Sequence, residues 1–165
     1  MGEFKEAMAH MACPVSIATG FDGDRPHGTT VSAIMSVSMD PELFMISLNR
    51  ESDLLGFVKR TGRFGVNILS DDQTELALTF AMKGDDKFDS VSWSSSEGLP
   101  RIEGACTWLA CSVERTTVDG DHVVLVGAVE DAWVDGGRMP LVYQGRRFSE
   151  SVPITSTVKA VVSGR

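Results

Sequence analysis

Gly28-Thr29-Thr30-Val31-Ser32-Ala33-Ile34-Met35-Ser36-Val37-Ser38-Met39-Asp40-Pro41 is the run whose reading decides the fold. It reads as a strand, from about His27 to Met35, that passes into a Ser-Val-Ser turn. Thr30, Ser32, Ser36 and Ser38 stand at even positions on either side of Ile34. On a strand, alternate residues share one face. That face would offer short hydroxyl donors and an unobstructed backbone, which suits a flat ring with polar atoms at its edges. Thr and Ser also favour edge strands for reasons unconnected with a ligand, so from the residues alone both readings stand.

Working outward, the pattern stays mostly extended. Phe4, Met8 and Met11 have helical spacing, and Cys13-Pro14 ends that helix because the residue before proline is pushed out of the α region. Val15 to Thr19 alternates as a half-buried strand. Asp22-Gly23-Asp24 then marks a turn. Leu43 to Leu48 is a compact apolar strand, and Ser52 or Asp53 is placed to cap a helix that begins at Leu54 and closes at Gly62. Phe64 to Leu69 reads as a strand, followed by a helix through Leu76, Ala77, Leu78 and Phe80 capped by Asp71 or Asp72. The polar, serine-rich stretch from Lys83 to Pro100 reads as a long loop, a feature that in compact domains is usually functional or mobile. Strands near 105–116 and 122–133 flank a hairpin at Val118-Asp119-Gly120-Asp121, and a last pair lies near 141–143 and 147–148.

Strands at hairpin spacing with two or three short helices do not form a repeating βαβ series, which disfavours a doubly wound parallel sheet. An antiparallel barrel with helices over its open ends fits better. The 165 residues suffice for one domain with its own core, and we read 1–165 as one unit, the tail from Ser149 onward carrying too little pattern to place.

Composition excludes several functions. The net charge of −8, with 15 Lys and Arg against 23 Asp and Glu, argues against nucleic acid, which needs a concentrated basic face. A small anion remains possible, since it needs only one local cluster of donors. No apolar run approaches the ~20 residues that cross a bilayer, and the start carries Glu3, Lys5 and Glu6 rather than a secretory leader. The expected location is the cytoplasm. Cys13, Cys106 and Cys111 lack metal-ligand spacing and read as free thiols; His10, His27 and His122 are scattered, so no metal site is expected. Neither G-x-G-x-x-G, G-K-[ST] nor G-x-S-x-G is present in a supporting context.

Thr30-Val31-Ser32-Ala33, Ser36-Val37-Ser38, Asp40-Pro41 and Asn49-Arg50 before a helix resemble the short-chain NAD(P)H:flavin reductases of the FMN-binding split-barrel fold. The resemblance continues through Phe64-Gly65-Val66-Asn67-Ile68-Leu69, Lys87-Phe88, Trp93, Gly98-Leu99-Pro100, Gly120-Asp121-His122, Gly127 and Pro140-Leu141-Val142-Tyr143 with Arg147. It covers about residues 4–148. No single piece is specific; their order and spacing are.

The resemblance implies a mainly β, antiparallel split barrel of Greek-key type with a few short helices, which reduces FMN or FAD with NADH or NADPH and supplies reduced flavin to a partner monooxygenase. It also implies a homodimer. It places Thr29, Thr30, Val31, Ser32 and Ala33 beside the ring and ribityl chain, and Ser36, Val37 and Ser38 around the pyrimidine edge. Asn49, Arg50 and Ser52 would meet the phosphate. Phe80, Lys87, Phe88 and Tyr143 complete the cofactor set, and His122 faces flavin and nicotinamide as the candidate catalytic residue. Arg50 alone could be a solvated charge, Lys87 and Phe88 a loop anchor, and His122 a polar strand start. Glu51 and Asp53 flank Ser52 where two carboxylates would repel a phosphate. The alternatives are a split-barrel enzyme that holds flavin or deazaflavin tightly and acts on an organic substrate, and a non-catalytic flavin-binding protein.

Overall fold

The computed structural model describes residues 2–84 and 86–153. Helix α1 (Gly2–Ala9) leads into the two-residue strand β1 (Cys13–Pro14) and then β2 (Ser16–Asp22), β3 (Arg25–Val31), β4 (Ile34–Met39) and β5 (Glu42–Asn49). Helix α2 (Asp53–Thr61), β6 (Arg63–Ile68) and α3 (Thr74–Ala81) follow. The chain ends in β7 (Trp93–Ser96), β8 (Leu99–Ile102), the long β9 (Thr107–Asp119) and β10 (His122–Val134), β11 (Leu141–Gln144) and β12 (Arg147–Glu150).

Seven strands form one antiparallel sheet in the order β3-β2-β6-β9-β10-β5-β4. Its two ends are the same piece of chain: only Ser32 and Ala33 separate β3 from β4. The Ser47 backbone N–H donates to the Ala33 carbonyl at 2.9 Å and extends the β4–β5 ladder, so it is the direct passage of β3 into β4 that brings the two ends of the sheet together. The mainly β, antiparallel architecture is the one the strand spacing implies, and it agrees with the split barrel that the resemblance implies. The opening run is therefore two strands, not one strand and a turn. Ser36 pairs with Phe44 and Ser38 with Leu43, and Val37 is the extra residue of a bulge between them.

The core explains the helices. Leu54, Leu55 and Val58 are buried at 0, 3 and 1% exposure and close one end of the barrel against Ala18, Val31, Leu48 and Phe64. Each such side chain contributes roughly 1.5–3 kcal/mol by leaving water. Helix α2 stops at Gly62, whose φ of 70° lets its N–H return to the Val58 carbonyl. Helix α3 covers the outer face of β2 and β3, where Phe80 and Ala77 join Val15, Ile17, Phe88 and Leu141. Strand β2 thus has Ala18 inside the barrel and Ile17 under a helix, and Ser16 to Gly20 are all buried, not half-buried as the alternation predicts.

Two other elements differ from the sequence reading. The final pair joins β1 in a separate three-stranded sheet, β1-β11-β12. Part of the expected 83–100 loop is a hairpin of β7 and β8, turning at Glu97 and Gly98, both with positive φ. That hairpin is fastened by a buried polar network. Asn67 accepts the Ile102 N–H at 2.8 Å and donates to the Pro100 carbonyl at 3.3 Å, while the Thr19 hydroxyl donates to that carbonyl at 2.8 Å.

Candidate active site

The curl of the sheet brings three strand ends together. His122 opens β10 directly opposite Asn49 at the end of β5, and Ala33 meets Ser47 one turn of the ladder away. Between them lies a hollow of about 230 Å³, walled by residues 29–33 of the β3–β4 junction, by Ser47 to Asn49, and by Ser52 and His122. Thr29, Asn49 and Ser52 also line an adjoining hollow of about 280 Å³, which extends past Glu51 and Asp53 to His27, residues 81–84 and Lys87. Together they form one cleft with a neutral end and a charged end.

The neutral wall is rigidly backed. Val31 points into the barrel core. The Thr30 hydroxyl donates to the Ala77 carbonyl at 2.7 Å and so serves to pin β3 under α3. Gly28 lies on the same side: a Cβ there would stand 2.9 Å from the Phe80 ring and 3.1 Å from Ile17. Phe80 is fully buried and meets Phe88 edge to face, with centroids 4.9 Å apart. Both rings support the wall from behind. Lys87 donates to the Gly28 and Phe80 carbonyls at 3.3 and 3.2 Å, tying the loop after α3 to the same strand.

At the charged end, the turn from Asn49 to Ser52 is shaped by local bonds. The Asn49 side-chain carbonyl accepts the Glu51 N–H at 2.9 Å, and its backbone carbonyl accepts the Ser52 N–H at 3.0 Å. Ser52 is the N-cap of α2, yet its hydroxyl makes no capping bond. It is a donor at a helix N-terminus, where N–H groups favour an anion. Arg50 turns away. Its guanidinium reaches the Gly120 carbonyl at 3.4 Å, and it lines a neighbouring opening with Glu51 and Asp121.

Residues 8–151 match the sequence model of the family described as the flavin reductase like domain. The chain belongs to this family. The chain is 35% identical over 150 residues to the actinorhodin polyketide dimerase of Streptomyces coelicolor, which spans 90% of this chain and 85% of that protein. It is 34% identical over 151 residues to the reductase component of the 4-nitrophenol 4-monooxygenase/4-nitrocatechol 2-monooxygenase of Rhodococcus opacus, covering 92% and 81%. The NADH:FAD oxidoreductase of Streptomyces globisporus C-1027, solved with NAD and FAD fragments, superimposes with a TM-score of 0.88 at 28% identity over 93% of this chain and 94% of that one.

Within this flavin reductase-family chain, the residues expected at the site separate into groups. Thr29 to Ala33, Asn49, Ser52 and His122 converge on the cleft, and Lys87 reaches its charged end. Ser36, Val37 and Ser38 lie farther along β4 and line neither hollow; the Ser38 hydroxyl accepts the Asp40 N–H at 3.2 Å. Tyr143 sits in the small sheet opposite Cys13, packed on Phe148 at 5.4 Å, and also lines neither. His27 and Lys83 were not singled out from the sequence, although both line the charged end. Strand alternation puts His27 on the face of Thr29 and Val31, and that signal could have found it. No group of three or more metal-ligating side chains occurs among the described residues.

His122 is held in the cleft by a contact with its own neighbour in the chain. Its Nδ1 lies 2.8 Å from the Asp121 carboxylate, and that hydrogen bond holds the Asp121 carboxyl below its ordinary range. In the tautomer that donates Nδ1–H to Asp121, Nε2 is the acceptor. Half-exposed at the mouth of the neutral hollow, it can receive an amide N–H from a bound molecule.

Proposed function

We propose that the chain is an NAD(P)H:flavin oxidoreductase whose flavin ring lies against the β3–β4 junction. The carrying observation is the neutral, hydroxyl-bearing hollow closed by the Ala33–Ser47 contact, with His122 at its mouth. The donor set fits a flavin: short side chains at Thr29, Ser32 and Ala33 let backbone approach a flat ring, and Ser52 with the Lys83 and Lys87 ammoniums stands at the far end, where the ribityl chain would finish.

Flavin and nicotinamide, when bound, supply the hydride exchange themselves. The chain's part is placement. Residues 29–33 hold one ring face against the strand, and the buried Phe80 and Gly28 keep that strand from yielding. Asn49, with its carbonyl used by Glu51, has its amide N–H groups left to donate. His122 Nε2 orients the nicotinamide carboxamide and takes no proton. Backbone donors near the ring edge favour negative charge developing there on reduction.

The reductase component from Rhodococcus opacus supports a further reading, that reduced flavin made here passes to a partner monooxygenase. Homodimerisation is supported by Met35, Val37 and Met39, which are 53, 39 and 80% exposed on β4, a strand at the end of the sheet.

The test is steady-state oxidation of NADH and NADPH with riboflavin, FMN and FAD. Flavin-dependent oxidation is expected with at least one pair. Flavin binding without any oxidation above background would overturn the catalytic reading.

A further inference from the structure

The charged end of the cleft carries a pattern that flavin-ring binding leaves unused. Glu51 and Asp53, both exposed, share its lining with Lys83 and Lys87, so the formal charges of these four side chains cancel. The forked cation of the same turn, Arg50, lies outside this lining and reaches the Gly120 carbonyl at 3.4 Å. Lys87 already donates to two backbone carbonyls. Asp53 stands in the first turn of α2, where its carboxylate meets the positive end of the helix that would otherwise attract an anion.

A phosphomonoester carries a charge of about −1.5 to −2 at neutral pH, whereas riboflavin ends in a neutral hydroxyl. For a phosphate to gain much here, attraction by the two ammoniums must exceed repulsion by two carboxylates lining the same hollow. Among the described residues the two are matched in number, and the more ordered ammonium, Lys87, is the one whose donors are partly used.

We propose that Glu51 and Asp53 are selectivity residues: they offset the pull of Lys83 and Lys87 on a phosphate, so that the cleft takes riboflavin about as readily as FMN. This rests on the cleft being the flavin site. Flavin reduction needs only the ring, so such a cleft would serve an enzyme that treats flavin as a passing substrate and releases it after reduction.

The experiment is fluorescence titration of riboflavin, FMN and FAD at low ionic strength, with the unaltered protein and with Glu51→Gln, Asp53→Asn, the double variant and Lys83→Ala. The readout is the ratio of the riboflavin Kd to the FMN Kd. In the unaltered protein it is expected within about threefold of one. Each carboxylate removed should raise it by about three- to tenfold, an effect that added salt suppresses. Lys83→Ala should lower it. Circular dichroism establishes that each variant folds, and Glu51→Gln, in an exposed turn, carries the test if Asp53→Asn disturbs the helix. A ratio of tens in the unaltered protein, or one unmoved in the double variant, overturns the selectivity claim while leaving the flavin site standing. Failure to bind any of the three flavins overturns both.

Discussion

The two ends of the cleft are built in opposite ways. The neutral end is strand backbone: residues 29–33 are fixed by the barrel ladder, by the Thr30 bond to Ala77 and by the buried Phe80 and Ile17 packed behind Gly28. The charged end is side chain: Glu51, Asp53 and Lys83 are exposed, held by a short turn and the loop after α3. A ring needs a surface that does not move, and a buried wall provides one. A charged tail can be accepted or refused by a few solvated groups at little cost to the fold.

Breaking a buried polar network of the barrel should therefore cost most, more than any change at the cleft. Asn67→Leu removes the acceptor of the Ile102 N–H and strands it in a buried position, next to the Pro100 carbonyl. We expect a loss of about 2–3 kcal/mol in denaturant unfolding, with the β7–β8 hairpin loosened. A loss below about 0.5 kcal/mol would place it among ordinary surface changes and mean that the network does not hold the hairpin.

Gly28→Ala comes next. The added methyl meets the Phe80 ring at 2.9 Å, so wall or helix must shift, and a loss of about 1–3 kcal/mol is expected. Because the shift moves the ring wall, riboflavin affinity should fall with stability. Lost stability with unchanged riboflavin affinity would detach the wall from the ring site.

His122→Ala acts at the mouth. Loss of one hydrogen bond of about 1–1.5 kcal/mol should raise the apparent KM for the pyridine nucleotide about tenfold and that for flavin much less. Equal changes in both would remove the assigned role. Smallest is the effect of Lys83→Ala on folding, expected within about 0.5 kcal/mol; a larger loss would show that the rim is structural after all.

The same contrast sets what was legible beforehand. Local signals carried far: Leu54, Leu55, Val58 and Gly62 announce α2 and its stop, and Val118 to Asp121 announce the long hairpin. The alternating short side chains of residues 28–38 are visible in the sequence, but from the residues alone they fit an edge strand as well as a ligand wall. What the local pattern hides is long-range partnership. β7 and β8 look like loop because Asn67 and Thr19, far away in the chain, organise them. Arg50 likewise reaches the Gly120 carbonyl, 70 residues on, a contact that no pattern around Asn49-Arg50 encodes. The final hairpin pairs with β1 instead of the barrel, which no pattern within it encodes.

The central claim, that the β3–β4 junction holds a flavin ring within reach of a nicotinamide presented by His122, is tested most directly without oxygen. Protein, riboflavin and a pyridine nucleotide are mixed anaerobically, and the visible absorbance of oxidised flavin is followed. Bleaching much faster than without protein, and slowed in His122→Ala at subsaturating nucleotide, is the predicted result. Flavin that is bound, as fluorescence shows, yet bleaches no faster than free flavin with either NADH or NADPH would contradict it.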